Sequence, residues 1–164
     1  NSEEKQKVKD IVKKVVPNSE AYTAAYGTRE EYSFGGGGRT VTSTTKYWYY
    51  GVAFKPGDLY LVPLSFEGGD VSYSEPLHFQ KGDLGMAETK NGLLVLYGKD
   101  RKELMNLFVV ASNTKEDKYH PVNIQQKEEA EAFARFAQAF AQDVNAANGI
   151  TDIKAAKKEA RKNG

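Results

Sequence analysis

The chain contains no cysteine. Disulfide frameworks, thiolate zinc sites and cysteine nucleophiles are thereby excluded. The compartment is left open by this, since many secreted bacterial proteins lack cysteine as well. Histidine is nearly as scarce, with only His78 and His120 in the chain. Neither has a second histidine close by, whereas a metal centre needs several converging ligands. An excess of one charge is also missing: 23 Lys and Arg stand against 22 Asp and Glu, a net charge of +1. A dedicated nucleic-acid binder usually shows a basic excess, so specific nucleic-acid binding is not expected. No apolar run approaches the ~20 residues that span a bilayer, and no signal-peptide pattern is visible. A cytoplasmic setting is the expectation, although the chain begins at Asn1 rather than Met, as a trimmed chain that had lost a leader or anchor would.

What the chain has in quantity is aromatic residues, ten tyrosines and eight phenylalanines. Most lie between Tyr22 and Phe108 and alternate with Thr, Val and Ser, which is strand composition. At 164 residues the chain has the size of one domain. Folding a chain of this size buries about 69% of its unfolded surface, enough for a core without metals or disulfides.

Ser2 to Val16 reads as a helix. Val8, Ile11, Val12, Val15 and Val16 follow the spacing of one apolar face, lysines occupy the other, and Pro17 stops the run. A narrow valine stripe without Trp, Phe or Leu suits a helix docked on a core rather than one lying in a membrane. From Glu20 to Ala111 the pattern becomes strand and turn. Strand-like segments at Glu30 to Phe34, Thr40 to Phe54, Leu59 to Phe66, Val71 to Phe79, Leu93 to Tyr97 and Leu104 to Ala111 are separated by Gly35 to Gly38, Pro56-Gly57-Asp58, Gly68-Gly69-Asp70, Asn91-Gly92 and Lys99 to Lys102. Asn91-Gly92, between Ala87-Glu88-Thr89 and Leu93 to Tyr97, is the strongest hairpin signal. Alternating helices and strands are absent, so a doubly wound nucleotide fold is not expected. Asn123, with Gln126 three residues on, resembles a capping box opening a helix that runs to about Asn145. Phe133, Phe136, Ala137, Phe140 and Val144 form its stripe, suited to plugging an open barrel or sheet. Residues 150–164, rich in Ala and Lys and with little to bury, read as a frayed helix or basic tail. The expected organisation is thus a single domain over residues 1–149, including the N-terminal helix 2–16, followed by a tail over 150–164. The fold class is α+β, mainly β.

The order of these elements resembles the bacterial pleckstrin-homology-like (PH-like) family over about residues 45–145. The stretches that carry the resemblance are Tyr49-Tyr50-Gly51-Val52, Leu59 to Leu64, Leu77 to Leu84, Leu94 to Asp100, Leu104 to Val110 and the Gln126 to Val144 helix. The resemblance implies an antiparallel, partly open barrel or sandwich of about seven strands, closed by a C-terminal amphipathic helix. The N-terminal helix and the glycine run lie outside the family pattern. The basic signature for phosphoinositides that the eukaryotic members carry around the first hairpin is absent: near the matching loop this chain offers only Arg29, Arg39 and Lys46, without its spacing. Specific phosphoinositide recognition is therefore not expected.

Catalytic signatures are absent. Four consecutive glycines before Arg39-Thr40 suggest a phosphate loop, but such a loop needs Gly-Lys-Ser/Thr opening a helix, and strand-like residues follow here. No Gly-x-Ser-x-Gly elbow is present. Asp83 with Glu88, or Glu30 with Glu31, read as solvated carboxylates rather than acid–base pairs. His78 is expected to point outward from a strand, and His120 to lie in a loop before Pro121. The more informative stretch is Lys46-Tyr47-Trp48-Tyr49-Tyr50. Alternation separates Tyr47 and Tyr49 from Trp48 and Tyr50. Either the N-terminal helix covers the outer pair, or exposed aromatics contact peptide, carbohydrate or single-stranded nucleic acid. Arg39, Lys46, Tyr47, Trp48 and Tyr49 are the candidate binding residues.

These features lead to a non-catalytic binding or assembly module that acts through protein contacts or self-association and needs no cofactor. The alternative is a small-ligand-binding β-barrel, extracytoplasmic in setting, with aromatics lining its pocket.

Overall fold

The computed structural model describes residues 2–38, 41–67, 70–114 and 121–163. Arg39 and His120, both weighed above, lie outside the described residues. The chain is mainly antiparallel β, with one helix before the strands and two after them: α1 (Ser2–Val15), β1 (Thr23–Gly35), β2 (Thr42–Lys55), β3 (Asp58–Ser65), β4 (Ser72–Tyr73), β5 (Leu77–Gln80), β6 (Met86–Lys90), β7 (Leu93–Tyr97), β8 (Glu103–Leu107), β9 (Ser112–Asn113), β10 (Ile124–Gln125), α2 (Lys127–Ala147) and α3 (Ile153–Asn163).

A five-stranded sheet runs β1-β2-β3, with β4 and β5 both paired along β3. Their shared edge is broken at Pro76, which has no N–H to donate to a ladder, so the expected Val71 to Phe79 strand becomes two short ones. A second sheet runs β6-β7-β8, and β9 pairs with β10. The two larger sheets meet where Thr28 and Phe108 exchange backbone hydrogen bonds, each 2.9 Å long. Among the described residues the strands form no closed barrel. The Asn91-Gly92 turn joins β6 to β7 as expected, with φ of 51° and 82° at the two residues, the positive pair that a tight two-residue hairpin requires.

Period-two alternation sorts the strands into layers. Tyr50, Val52 and Phe54 of β2 and Leu59 and Leu61 of β3 face Leu94 and Leu96 of β7 and Leu107 of β8. Phe133, Phe136, Phe140 and Val144 of α2 fill the space between the sheets. The opposite face of the five-stranded sheet, with Tyr26, Ala53, Val62 and Leu64, is covered by Val8, Ile11, Val12 and Val16 of the N-terminal segment. That docking requires Gly51: a Cβ there would lie 2.9 Å from the Val12 methyl, inside van der Waals contact. The expected docking of this helix by its valines is thus present.

Two boundaries differ from expectation. The Asn123 capping box does not form. Ile124–Gln125 instead pairs with Ser112–Asn113, and α2 begins at Lys127 with Gln126 at its N-cap. Residues 150–164, expected as a frayed helix or tail with little to bury, include α3, whose Ala156 is buried. With Ile150 and Ile153 it packs on Met86, Val95 and Tyr97, the outer face of the second sheet. Lys157 also forms an ion pair with Glu88.

Candidate functional site: the projecting β1–β2 arm

β1 and β2 are longer than the layers that support them. β3 pairs with β2 only from Tyr49 inward. On the other side, Phe108 pairs with Thr28, and the Asn106 side chain holds Glu30. Beyond these contacts residues 31–35 and 42–47 continue as a two-stranded arm that turns through Gly36 and Gly38, both with positive φ.

The arm has two unlike faces. The register sets Tyr32 opposite Thr45 and Phe34 opposite Ser43, and alternation places these four residues on one side. Val41 lies just before the start of β2. Tyr32 is 63% exposed, Phe34 75% and Val41 80%, the three most exposed large apolar side chains among the described residues. The Tyr32 and Phe34 rings lie 5.5 Å apart and shield each other only partly. Further in, the same side carries Tyr47 and Tyr49. Tyr47 is half-buried. Tyr49 is half-buried as well, stacking on Tyr26 at 6.5 Å and meeting Phe66 edge-on at 5.6 Å in the cluster under α1.

The opposite face carries Arg29, Glu31, Lys46, Trp48 and Tyr50. The Arg29 guanidinium lies 4.7 Å above the Trp48 ring, a cation–π contact, and 3.6 Å from the Glu31 carboxylate. Trp48 is half-buried against the core, and Tyr50 is buried. Burial pushes the Tyr50 hydroxyl above its ordinary pKa, with Arg29 opposing. Lys46 is exposed. The candidate residues therefore do not converge on one pocket: Lys46 and Trp48 look one way, and Tyr47 and Tyr49 the other.

A second polar cluster sits at the far end of the same sheet. Asp58 accepts a hydrogen bond from the Tyr22 hydroxyl at 2.8 Å and pairs with Nε2 of His78. The His78 ring stacks on Tyr60 at 3.9 Å and 5°, and Tyr22 meets Tyr60 edge-on at 5.6 Å. Burial first, then the Asp58 carboxylate, pushes the Tyr22 pKa up to about 12. His78 does point outward from its strand, but it is engaged. Asp58 lies on β3 and His78 on β5, so their pair fastens the two strands. Sequence reasoning missed it, because Asp58 and Tyr22 look like an isolated turn carboxylate and an isolated strand tyrosine.

Open clefts flank α2. One, of about 380 Å³, lies between Phe133 and Ala130 on the helix and Gly92, Leu93 and Phe108. Another, of about 340 Å³, lies between Phe136 and Asp143 and the β2–β3 turn at Pro56. Both are surface grooves, while the space between the sheets is occupied by the phenylalanines. Among the described residues no group of three His, Asp or Glu side chains is placed to hold a metal ion, and no helix is long and apolar enough to cross a membrane. Comparison with family models, with curated proteins and with solved structures finds no match to this chain.

Proposed function

We propose that this chain is a non-catalytic, PH-like binding or assembly module that works through protein–protein contacts made by its β1–β2 arm. The observation that carries the reading is the exposure of Tyr32 and Phe34 on one face of a strand pair that extends past its supporting layers, with the exposed Val41 next to its tip. Exposed apolar groups gathered on one face mark interaction surfaces. The arm also ends in unpaired strand edges. In hydrocarbon such edges leave backbone groups unsatisfied, whereas a protein strand satisfies them. A protein partner therefore suits the arm better than a lipid one.

What supports the PH-like part is the arrangement of two antiparallel sheets joined at a corner by the first strand and β8, with α2 packed between them. The filling of that space by Phe133, Phe136 and Phe140 favours this reading over an interior ligand chamber. Specific recognition of nucleic acid or phosphoinositide is not part of the proposal. The face that would stack on bases has Trp48 under Arg29, and Arg29 is engaged by Glu31.

Site-specific photo-crosslinking tests the proposal. A photo-reactive residue at position 34, in the cells that make the protein, is expected to yield protein adducts. The same residue at Lys90, on the β6–β7 hairpin away from the arm, is expected to yield few. Adducts to lipid alone, or equal labelling at both positions, would overturn the reading.

A further inference from the structure

The outer edge of β1 is filled in sequence and then stops being filled. At Tyr26 the backbone N–H donates to Oε1 of Gln126 at 2.9 Å, and the C=O accepts from its Nε2 at 2.8 Å. At Thr28 both groups exchange with Phe108. At Glu30 both are met by the Asn106 amide, at 3.2 Å and 2.9 Å. These residues alternate, because in an antiparallel ladder every second residue directs its N–H and C=O to the same side. The β1–β2 register continues unbroken to Gly35. The next residues in the series are therefore Tyr32 and Phe34, and among the described residues nothing takes up their outward groups. The two positions with open backbone groups are the two with exposed rings.

Resting on the proposed function, we infer that the strand that fills this place is the same segment of a second copy, paired antiparallel about a two-fold axis at Ser33. This register satisfies the ladder's parity. Tyr32 of one copy faces Phe34 of the other, and each such pair exchanges two hydrogen bonds, about four in all. Ser33 faces Ser33 in the close, non-hydrogen-bonded position. Both aromatic pairs fall on one side of a continuous four-stranded sheet, and aromatic cross-strand pairs are stabilising. Charge does not oppose the arrangement, since Glu31 falls opposite Gly35. The other edge of the arm offers less: self-pairing there would set Ser43 opposite Thr45, with little apolar gain. Aromatic side chains bury roughly 150–250 Å² when fully covered. Four partly exposed rings and two short backbone segments then fall at or below the ~1,000 Å² of a stable interface. The pairing is a weak, concentration-dependent dimer.

The absence of cysteine from the chain gives a clean test on the full protein. In the non-hydrogen-bonded position of an antiparallel pair the facing Cα atoms lie about 4.5 Å apart, within disulfide reach. Ser33→Cys is expected to form a disulfide dimer under mild oxidation, and Thr44→Cys, on the other strand of the arm, is not. Sedimentation velocity from about 10 µM to about 1 mM, the range of weak association, is expected to show reversible dimerisation of the unaltered chain, with Phe34→Ser weakening it at least tenfold. A monomer throughout that range, or cross-linking through Thr44→Cys in preference to Ser33→Cys, would overturn the inference. If photo-crosslinking at position 34 then traps other proteins, the arm remains a contact surface and only the identity of its partner changes. If it traps no protein at all, the proposed function fails as well.

Discussion

The side-chain amide of Gln126 pairs with both backbone groups of Tyr26, a residue 100 positions earlier in the chain. A carboxamide presents a donor and an acceptor at nearly the spacing of a peptide unit, so it can stand in for a strand at a sheet edge. The device recurs: Asn145 bonds the N–H and C=O of Ala87 on β6 at 3.0 Å and 2.8 Å, and Asn106 does the same for Glu30. These amides end edges that would otherwise stay open, and the β1 edge of the arm lies just past the last of them.

The burial of Gln126, 1% exposed, makes it the most costly of the three to lose. Its Nε2 also donates to the Val110 carbonyl at 2.6 Å. Gln126→Leu would strand the Tyr26 N–H and C=O away from water and leave the half-buried Val110 carbonyl without its donor, and an unsatisfied buried group costs about 1–3 kcal/mol. We expect a loss of about 3 kcal/mol or more in denaturant unfolding. Asn106→Ala, at an exposed site where water replaces the amide, is expected to cost below about 1 kcal/mol. Equal effects would show that water already reaches Tyr26.

The rings of α2 should also differ in cost. Phe140 is 1% exposed and stacks on Phe136 at 5.1 Å. Phe136 is 8% exposed and lines the cleft beside the β2–β3 turn. Phe140→Ala is expected to cost about 3–5 kcal/mol. Phe136→Ala should cost less, because its site opens to solvent. Chemical denaturation of both variants checks the order, and a loss below about 1 kcal/mol for Phe140→Ala would mean that α2 is peripheral to the core.

Much of this arrangement is legible in the sequence where the signal is local. Asn91-Gly92 announces its hairpin by turn chemistry, and the valine spacing of α1 and the phenylalanine spacing of α2 announce the faces they bury. The role of Gln126 is not legible, because its partner is distant and its position after Asn123 imitates a capping box. The docking of α3 is not legible, because it contributes few apolar residues. A hint lies in its receptor: Leu93 to Tyr97 is apolar at every position, and a strand apolar on both faces needs cover on both. The same holds for the arm. Alternation shows that Tyr32 and Phe34 share a face, but exposure depends on where β3 and β8 stop, which no local pattern records. The aromatic run at Tyr47 to Tyr50 is dense enough to suggest a contact surface, whereas in the fold Tyr47, Trp48 and Tyr49 are half-buried and Tyr50 is buried.

Truncation after Gly149 is expected to destabilise the protein. It would uncover Met86, Val95 and Tyr97 and remove the Lys157–Glu88 ion pair. With partial burial of Ile150 and Ile153 and full burial of Ala156, a loss of about 2 kcal/mol is reasonable at ~25 cal/mol per Å². That corresponds to a fall in Tm of about 4–8 °C for a chain of this size. Scanning calorimetry of the truncated and full chains checks it. An unchanged Tm would show that α3 rests on the sheet without stabilising it.

Vesicle binding should be feeble. Toward the arm, the described cations of the first hairpin are Arg29, held by Glu31 and Trp48, and the exposed Lys46; Lys55 lies at the far end, over the Tyr22 ring. Phosphorylated head groups are strongly hydrated, and their capture needs several cations around one pocket. With a net charge of +1, long-range attraction to an anionic surface is weak. Co-sedimentation with phosphoinositide vesicles at physiological salt is expected to show no isomer preference. Micromolar, isomer-selective binding lost on Lys46→Ala would contradict this.

Acid should loosen the joint between α1 and α2. The Glu129 carboxylate, near the start of α2, lies 2.7 Å from Lys5 Nζ and 3.1 Å from Lys9 Nζ of α1. Burial opposes its ionisation, but hydrogen bonds from Lys5 and Lys9 prevail and hold it below the ordinary carboxylate range. In the unfolded chain a glutamate titrates near ~4.3. A group whose pKa is lower when folded stabilises fully above the unfolded value, and its contribution disappears as the pH falls through the folded one. The lysines are partly exposed and screened, so the contribution is about 1 kcal/mol. Glu129→Gln is therefore expected to be less stable than the unaltered chain at neutral pH, and the gap should close steadily as the pH falls below ~4.3. The Lys5→Ala, Lys9→Ala double variant should behave oppositely to a salt-insensitive packing defect: its deficit should shrink both in acid and at high salt. Denaturant unfolding at stepped pH reads both curves. A Glu129→Gln deficit that stays constant into acid would show that position 129 acts through its packing and not through the charge of its carboxylate.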